Sequence, residues 1–220
     1  GMEAMPRAAT PEDVTCVPLD AAGVPARWIS APEARDDVAI VYYHGGGYVM
    51  GSLDTHEELM SRISRVCGAR VLGVDYRLAP EHPFPAAVDD GLAAYRWVLE
   101  QGFAPDRVML GGDSAGGGLT LATLLAARDA GVPMPAGGIL FSPWTDLTAS
   151  GASVTSREGV DPMIPNGDVL IAMAAYYHDD ASHPLVSPLL ADLSGLPPLL
   201  IQVGDAELLL DDATRLAERG

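Results

Sequence analysis

The chain has 220 residues, 30 acidic and 13 basic side chains, a net charge of −17 and a hydrophobic content of 48%. That length and apolar content suit one domain with a substantial core, while so acidic a balance argues against binding nucleic acid or an anionic membrane. Every basic residue is arginine, and the absence of lysine excludes Schiff-base chemistry and lysine-anchored pyridoxal phosphate.

No apolar run is long enough to span a membrane, and no basic stretch followed by an apolar one opens the sequence. Cys16 and Cys67 are far apart and fit no metal or redox spacing, so packing in a reducing cytoplasm is expected of both.

In chain order, residues 14–19 and 24–29 read as two strands joined by a turn at 20–23, an antiparallel pair. Residues 38–43 form a more continuous apolar run, as expected of a strand buried on both faces. It feeds directly into His44-Gly45-Gly46-Gly47-Tyr48. Helical spacing follows over 55–67, then a buried strand over 70–75. A proline-rich passage, 76–85, leads into a helix over 86–101. A short strand over 107–110 and a helix over 115–130, closed by Gly131, flank Gly111-Gly112-Asp113-Ser114-Ala115-Gly116-Gly117. A further strand is expected over 138–142. Residues 145–165 read as loop, 167–177 as helix, 199–203 as strand and 211–220 as helix. Strands alternating with helices imply βαβ units and a mostly parallel central sheet with helices on both faces. The stretch 145–180 interrupts that alternation and is expected to leave the sheet and cover one end of it, a partial cap within one domain spanning 1–220.

Gly112-Asp113-Ser114-Ala115-Gly116 fits G-x-S-x-G, which holds a serine on a strained strand-to-helix turn. Such a backbone needs small neighbours, because a Cβ two residues to either side would collide with the turn. Acyl transfer by serine needs a nucleophile, a base, a carboxylate that orients the base, and donors for the oxyanion. Ser114 is the candidate nucleophile. The donors are backbone N–H groups, one from Ala115 and others from Gly45-Gly46-Gly47. His44 is better placed to brace that glycine loop by hydrogen bonding than to act as base. His82 sits in the proline-rich passage, and His56, His178 and His183 have no motif support. The carboxylate should follow a late strand, where Gly204-Asp205-Ala206-Glu207 offers two acids. Asp211 and Asp212 open the next helix and suit its positive end.

The chain resembles the bacterial hormone-sensitive-lipase-like, or family IV, carboxylesterases of the α/β-hydrolase fold. The matching residues are His44 to Tyr48, Tyr76-Arg77-Leu78-Ala79-Pro80-Glu81-His82, Gly111 to Gly117, Ser142-Pro143-Trp144 with Asp146 and Leu147, and Asp161-Pro162. The resemblance implies a serine hydrolase acting on short-chain carboxylic esters, with no cofactor and no metal. It also implies an acid in the register G-x-x-[D/E]-x-L-x-D-[E/D], which falls on Glu207, with Asp205 two residues early as the alternative. By the same register the oxyanion glycines fall on Gly46 and Gly47, with Gly45 a further candidate.

The family's base is a histidine beyond the acid and one more strand, whereas no histidine follows His183 here. The triad order of serine, acid, histidine is therefore incomplete. The expectation is a fragment shortened at the C-terminus, which lacks a C-terminal strand and helix and is inactive as it stands. The resemblance also implies N-terminal cap helices where only about ten residues precede the first strand, so shortening at the N-terminus is a further expectation. An amidase using the same apparatus and a non-catalytic small-molecule-binding relative are the alternatives. A small ester is the expected partner, with no nucleic acid and no membrane insertion. A homodimer is one assembly left open.

Overall fold

The computed structural model describes residues 9–219. Strands β1 (Thr15–Ala21) and β2 (Val24–Ser30) form an antiparallel hairpin. Its two-residue turn places Ala22 at φ 57° and Gly23 at φ 89°, the double positive φ that matches the twist of the flanking strands. Asp20 accepts the Gly23 N–H at 2.6 Å and fixes the turn.

The remaining strands are β3 (Arg35–Tyr43), β4 (Ala69–Val74), β5 (Val108–Asp113), β6 (Gly137–Phe141) and β7 (Leu199–Gln202). The sheet order is β1-β2-β4-β3-β5-β6-β7. β2 joins β4 antiparallel, and every pairing from β4 through β7 is parallel. From β3 the chain goes to β4 on one side and then to β5 on the other. β3 and β5 therefore flank the point at which strand order reverses, where open α/β sheets place their ligand sites.

Both faces of this sheet are covered, which is why 38–43 is apolar at successive positions. Ile40 and Tyr42 pack with Met60 and Leu53 of α1 (Leu53–Cys67) on one face. Ala39, Val41 and Tyr43 pack on the other, against α2 (Ala86–Glu100) and α3 (Ala115–Asp129). α3 is buried along its first three turns, from Ala115 through Leu125, which fits a helix that is apolar all round and lies inside a core. The last helix, α6 (Leu210–Arg219), adds Leu216 to a smaller cluster with Leu121, Leu140 and Leu189.

Three details differ from the sequence reading. β5 runs on to Asp113 instead of ending near Leu110, because Gly111 and Gly112 are held by ladders to β3 on one side and β6 on the other. The stretch expected to be loop contains a short helix, α4 (Ser153–Ser156), before α5 (Gly167–Tyr177). Cys67 is exposed at the end of α1 instead of packed, while Cys16 is half-buried; both are free thiols. No helix of the described residues is long and apolar enough to cross a membrane.

Candidate active site

Ser114 is the single residue between β5 and α3, at φ 52° and ψ −120°. A non-glycine residue in that region stores strain that surrounding structure must hold. It is held at both backbone ends: Ser114 N donates to Phe141 O at 2.9 Å, and Ser114 O accepts from Gly118 N at 3.1 Å and Trp144 N at 2.9 Å. A Cβ at Gly112 would stand 2.4 Å from the carbonyl of Gly116, and one at Gly116 would stand 2.0 Å from the carbonyl oxygen of Tyr43. The motif glycines are thus sites of close backbone approach. The Ser114 hydroxyl has no hydrogen-bond partner among the described residues and lines a cavity of about 500 Å³.

The glycine loop lines the same cavity, with Gly45, Gly46 and Gly47 all in its wall. β3 delivers this loop beside the elbow, since Tyr43 and Gly112 are register partners on adjacent strands. Gly46 has φ 126° and Gly47 φ 63°. A Cβ on Gly46 would meet Met50 O at 2.1 Å, so the turn closes only with glycine there. The Gly46 carbonyl accepts from Val49 N and Met50 N. The N–H groups of Gly46 and Gly47 have no acceptor among the described residues, and neither does that of Ala115 at the first position of α3. Gly45 differs, because its N–H donates to Asp113 Oδ1 at 3.1 Å.

The two candidate acids separate clearly. Glu207 follows β7 and lines the cavity; Asp205 is exposed and lies outside it. Glu207 Oε1 accepts from Ser142 Oγ at 2.9 Å and from Gly204 N at 2.7 Å. Its other oxygen is without a partner among the described residues.

A sequence profile described as alpha/beta hydrolase fold matches residues 40–220. An acetyl-hydrolase of Streptomyces hygroscopicus is 50% identical over 195 residues, covering 88% of this chain and 64% of the relative. Carboxylesterase NlhH of Mycobacterium tuberculosis is 41% identical over 207 residues, covering 89% and 64%. The crystal structure of an esterase from the bacterial hormone-sensitive lipase family superimposes with a TM-score of 0.94 at 53% identity, covering 96% of this chain and 72% of that one. The chain belongs to the α/β-hydrolase family, in its bacterial hormone-sensitive-lipase-like branch. It spans 64% of the length of the two enzymes just named.

In this α/β-hydrolase chain none of the five histidines hydrogen-bonds to Ser114 or Glu207. His44 is 1% exposed, stacks on Tyr76 with ring centroids 4.4 Å apart, and places Nδ1 2.8 Å from Gly45 O. Burial pushes its pKa down, so it stays neutral and braces the loop. His82 is exposed, and His178 and His183 pack around Phe84 at 5.0 and 4.8 Å. His56, without motif support in the sequence, does reach the cavity: its Nε2 lies 3.3 Å from Asp113 Oδ2.

Further polar residues in and behind this cavity do more than the sequence reading assigns them. Ser142, at φ 44°, holds Glu207. Asp161 lines the cavity and accepts the N–H of Leu208, next to Glu207, at 2.8 Å. Asp161 and Leu208 stand 47 residues apart in sequence, so the family pattern that marks Asp161 does not announce this contact. Asp212 does more than favour a helix end: it is 1% exposed and accepts Thr145 N at 2.7 Å and Asp146 N at 2.8 Å. Burial, reinforced by the nearby Asp146 charge, raises its pKa to about 7. α5 supplies Val169, Leu170 and Met173 to the cavity wall, and its Tyr177 stacks on Tyr48 at 3.9 Å.

Proposed function

We propose that this chain is the larger part of a serine carboxylesterase that hydrolyses short-chain carboxylic esters through an acyl-enzyme. One observation carries the reading. A cavity of about 500 Å³ brings together a serine hydroxyl on a strained elbow, glycine-loop N–H groups and a carboxylate. Among the described residues, the N–H groups of Gly46 and Gly47 have no acceptor and the Glu207 carboxylate has one oxygen unengaged.

Ser114 Oγ attacks the ester carbonyl carbon and passes its proton to the base. The carbonyl oxygen becomes an oxyanion that accepts from the N–H groups of Gly46, Gly47 and Ala115. The bond to the alkoxy oxygen breaks and the alcohol leaves with the proton from the base. Water then attacks the acyl-enzyme, again through the base, and releases the carboxylic acid and Ser114. Glu207 orients the base through its unengaged oxygen, fixing the tautomer and stabilising the imidazolium.

The base itself is assigned to a histidine in the remainder of the longer protein, following the order serine, acid, histidine. Removing a triad member leaves only about 10³–10⁴-fold acceleration over water, so residues 1–220 alone are expected to be nearly inert. Met50, Leu170, Met173 and Leu209 wall the cavity, which suits a small apolar acyl group. The two free thiols fit a reducing compartment, and we assign the protein to the cytoplasm.

The test is hydrolysis of p-nitrophenyl acetate by the full-length gene product and its Ser114→Ala variant. Turnover abolished with the fold retained supports the reading. Unchanged turnover in the variant removes it. Binding of small esters without turnover in the wild type would turn the assignment to a ligand-binding relative. A matched anilide cleaved as fast as the ester would make the protein an amidase.

A further inference from the structure

Resting on the reading of Ser114 as nucleophile, we propose that Asp113 is a positioning residue for the oxyanion site. Its carboxylate, braced by His56 and Tyr42, locks the glycine loop against the elbow so that the Gly46 and Gly47 N–H groups face the substrate carbonyl.

Asp113 is the last residue of β5, immediately before the nucleophile. It meets polar groups from three separate elements. Its Oδ1 accepts the Gly45 N–H at 3.1 Å and the Tyr42 hydroxyl at 2.9 Å. Its Oδ2 faces His56 Nε2 at 3.3 Å. The elbow, the strand leading to the glycine loop and the first turns of α1 therefore meet on one carboxylate.

The approach is closer than any side chain would permit. A Cβ at Gly45 would stand 2.2 Å from Asp113 Oδ2 and 3.1 Å from Asp113 O. The first glycine of the triplet is therefore required by Asp113, although its own N–H is engaged by that carboxylate and not offered to a ligand. Using up the Gly45 N–H fixes the orientation of that peptide, and the next two N–H groups remain without acceptors among the described residues.

The bracing groups are themselves held. His56 Nδ1 lies 2.8 Å from Thr55 Oγ1, and Thr55 belongs to the capping box that opens α1 with Ser52. Burial and the Asp113 charge push the Tyr42 hydroxyl well above its ordinary pKa, so it remains a donor. Asp113 touches no reacting atom in this scheme and acts through Gly45.

The decisive experiment is steady-state hydrolysis of p-nitrophenyl acetate by the full-length gene product and its Asp113→Ala, Asp113→Asn and His56→Asn variants. Misplaced oxyanion donors lower kcat on the order of 10²-fold with KM within about threefold, and that split is expected of Asp113→Ala. Asp113→Asn keeps an acceptor for Gly45 N–H and should recover most of the lost kcat. His56→Asn removes only a brace and should lie between, at about a tenfold loss. Wild-type kcat in Asp113→Ala would overturn the proposal. So would equal losses in the Ala and Asn variants accompanied by a fallen melting temperature, the mark of a purely structural role. If Asp113→Ala does not fold, the Asn and His56→Asn variants decide, and wild-type kcat in His56→Asn with no recovery in Asp113→Asn overturns it. Failure of the esterase reading is seen separately, as a wild type that neither turns over ester nor takes a fluorophosphonate label on Ser114. That outcome removes this proposal as well.

Discussion

Ser142 donates its hydroxyl to Glu207 Oε1 across 2.9 Å, from a backbone turned to φ 44°. A serine in the left-handed region is held there against its preference, at a penalty of about 1–3 kcal/mol. Here the strained residue is the one that fixes the carboxylate. Its backbone is anchored by donation from Ser142 N to Gln202 O at 2.6 Å. The acid is thereby tied to β6 as well as to its own loop.

Replacing Ser142 by glycine therefore separates stability from activity. Ser142→Gly relieves the positive φ and should stabilise the fold by about 1 kcal/mol. It also frees Glu207 and should lower kcat about tenfold, with little change in KM. Thermal unfolding and steady-state kinetics on the same variant check both halves. A loss of stability together with unchanged kcat would contradict the assigned link.

Asp212 makes stability depend on pH. Its pKa in the folded chain is about 7, against an ordinary value of 3.8. The folded protein thus holds a proton that the unfolded chain releases from about pH 4 upward. Stability from this group is fully present below that point, falls as pH rises and levels off above pH ~7. Asp212→Asn keeps a carbonyl oxygen for the N–H groups of Thr145 and Asp146, both of which reach the same oxygen Oδ2. The variant should flatten the pH profile and, at pH ~8, gain on the order of 2–4 kcal/mol. Urea unfolding at intervals between pH 5 and 8.5 measures it, and an unchanged slope would contradict it.

Met173 sets the depth available beside the glycine loop. Its sulfur would lie 2.2 Å from a Cβ placed on Gly47, and it forms part of the cavity wall. Met173→Ala should shift preference toward longer acyl chains, by roughly tenfold in the kcat/KM ratio of p-nitrophenyl octanoate to butyrate. A chain-length series of p-nitrophenyl esters in the full-length gene product reads this directly.

What the sequence makes legible here follows from where the constraints are local. Ser114 can be found because its strained turn demands glycine at 112 and 116, a spacing visible within five residues, although the carbonyl that a Cβ at Gly116 would strike belongs to Tyr43 on the neighbouring strand. The glycine loop is legible for the same reason at Gly46, whose own turn carbonyl leaves no room for a side chain. Glu207 over Asp205 follows only from the register of the family that the chain resembles; Glu207 lines the cavity and Asp205 does not. The roles of His56, Asp161 and Asp212 are not legible. Their partners lie 57, 47 and 67 residues away, and nothing near them in sequence signals the pairing. Cys67 misleads because a cysteine at a helix end carries no mark of which side meets solvent. Asp212 misleads because an acid in a first helical turn has a sufficient local explanation, which conceals its burial.

Because Tyr43 and Gly112 are neighbours in one ladder, Ser114 and the glycine loop beside it are spaced by peptide hydrogen bonds of the sheet. The chain joining them, α1 with β4 and α2, bears on that spacing only where it reaches the loop, as His56 and Tyr76 do. The solvent-facing turns of that passage can thus change in length and surface without moving those two strand ends apart. An engineer could trim or swap its outer turns while leaving the chemistry undisturbed, provided His56 and the strand pairing of β3 with β5 are kept.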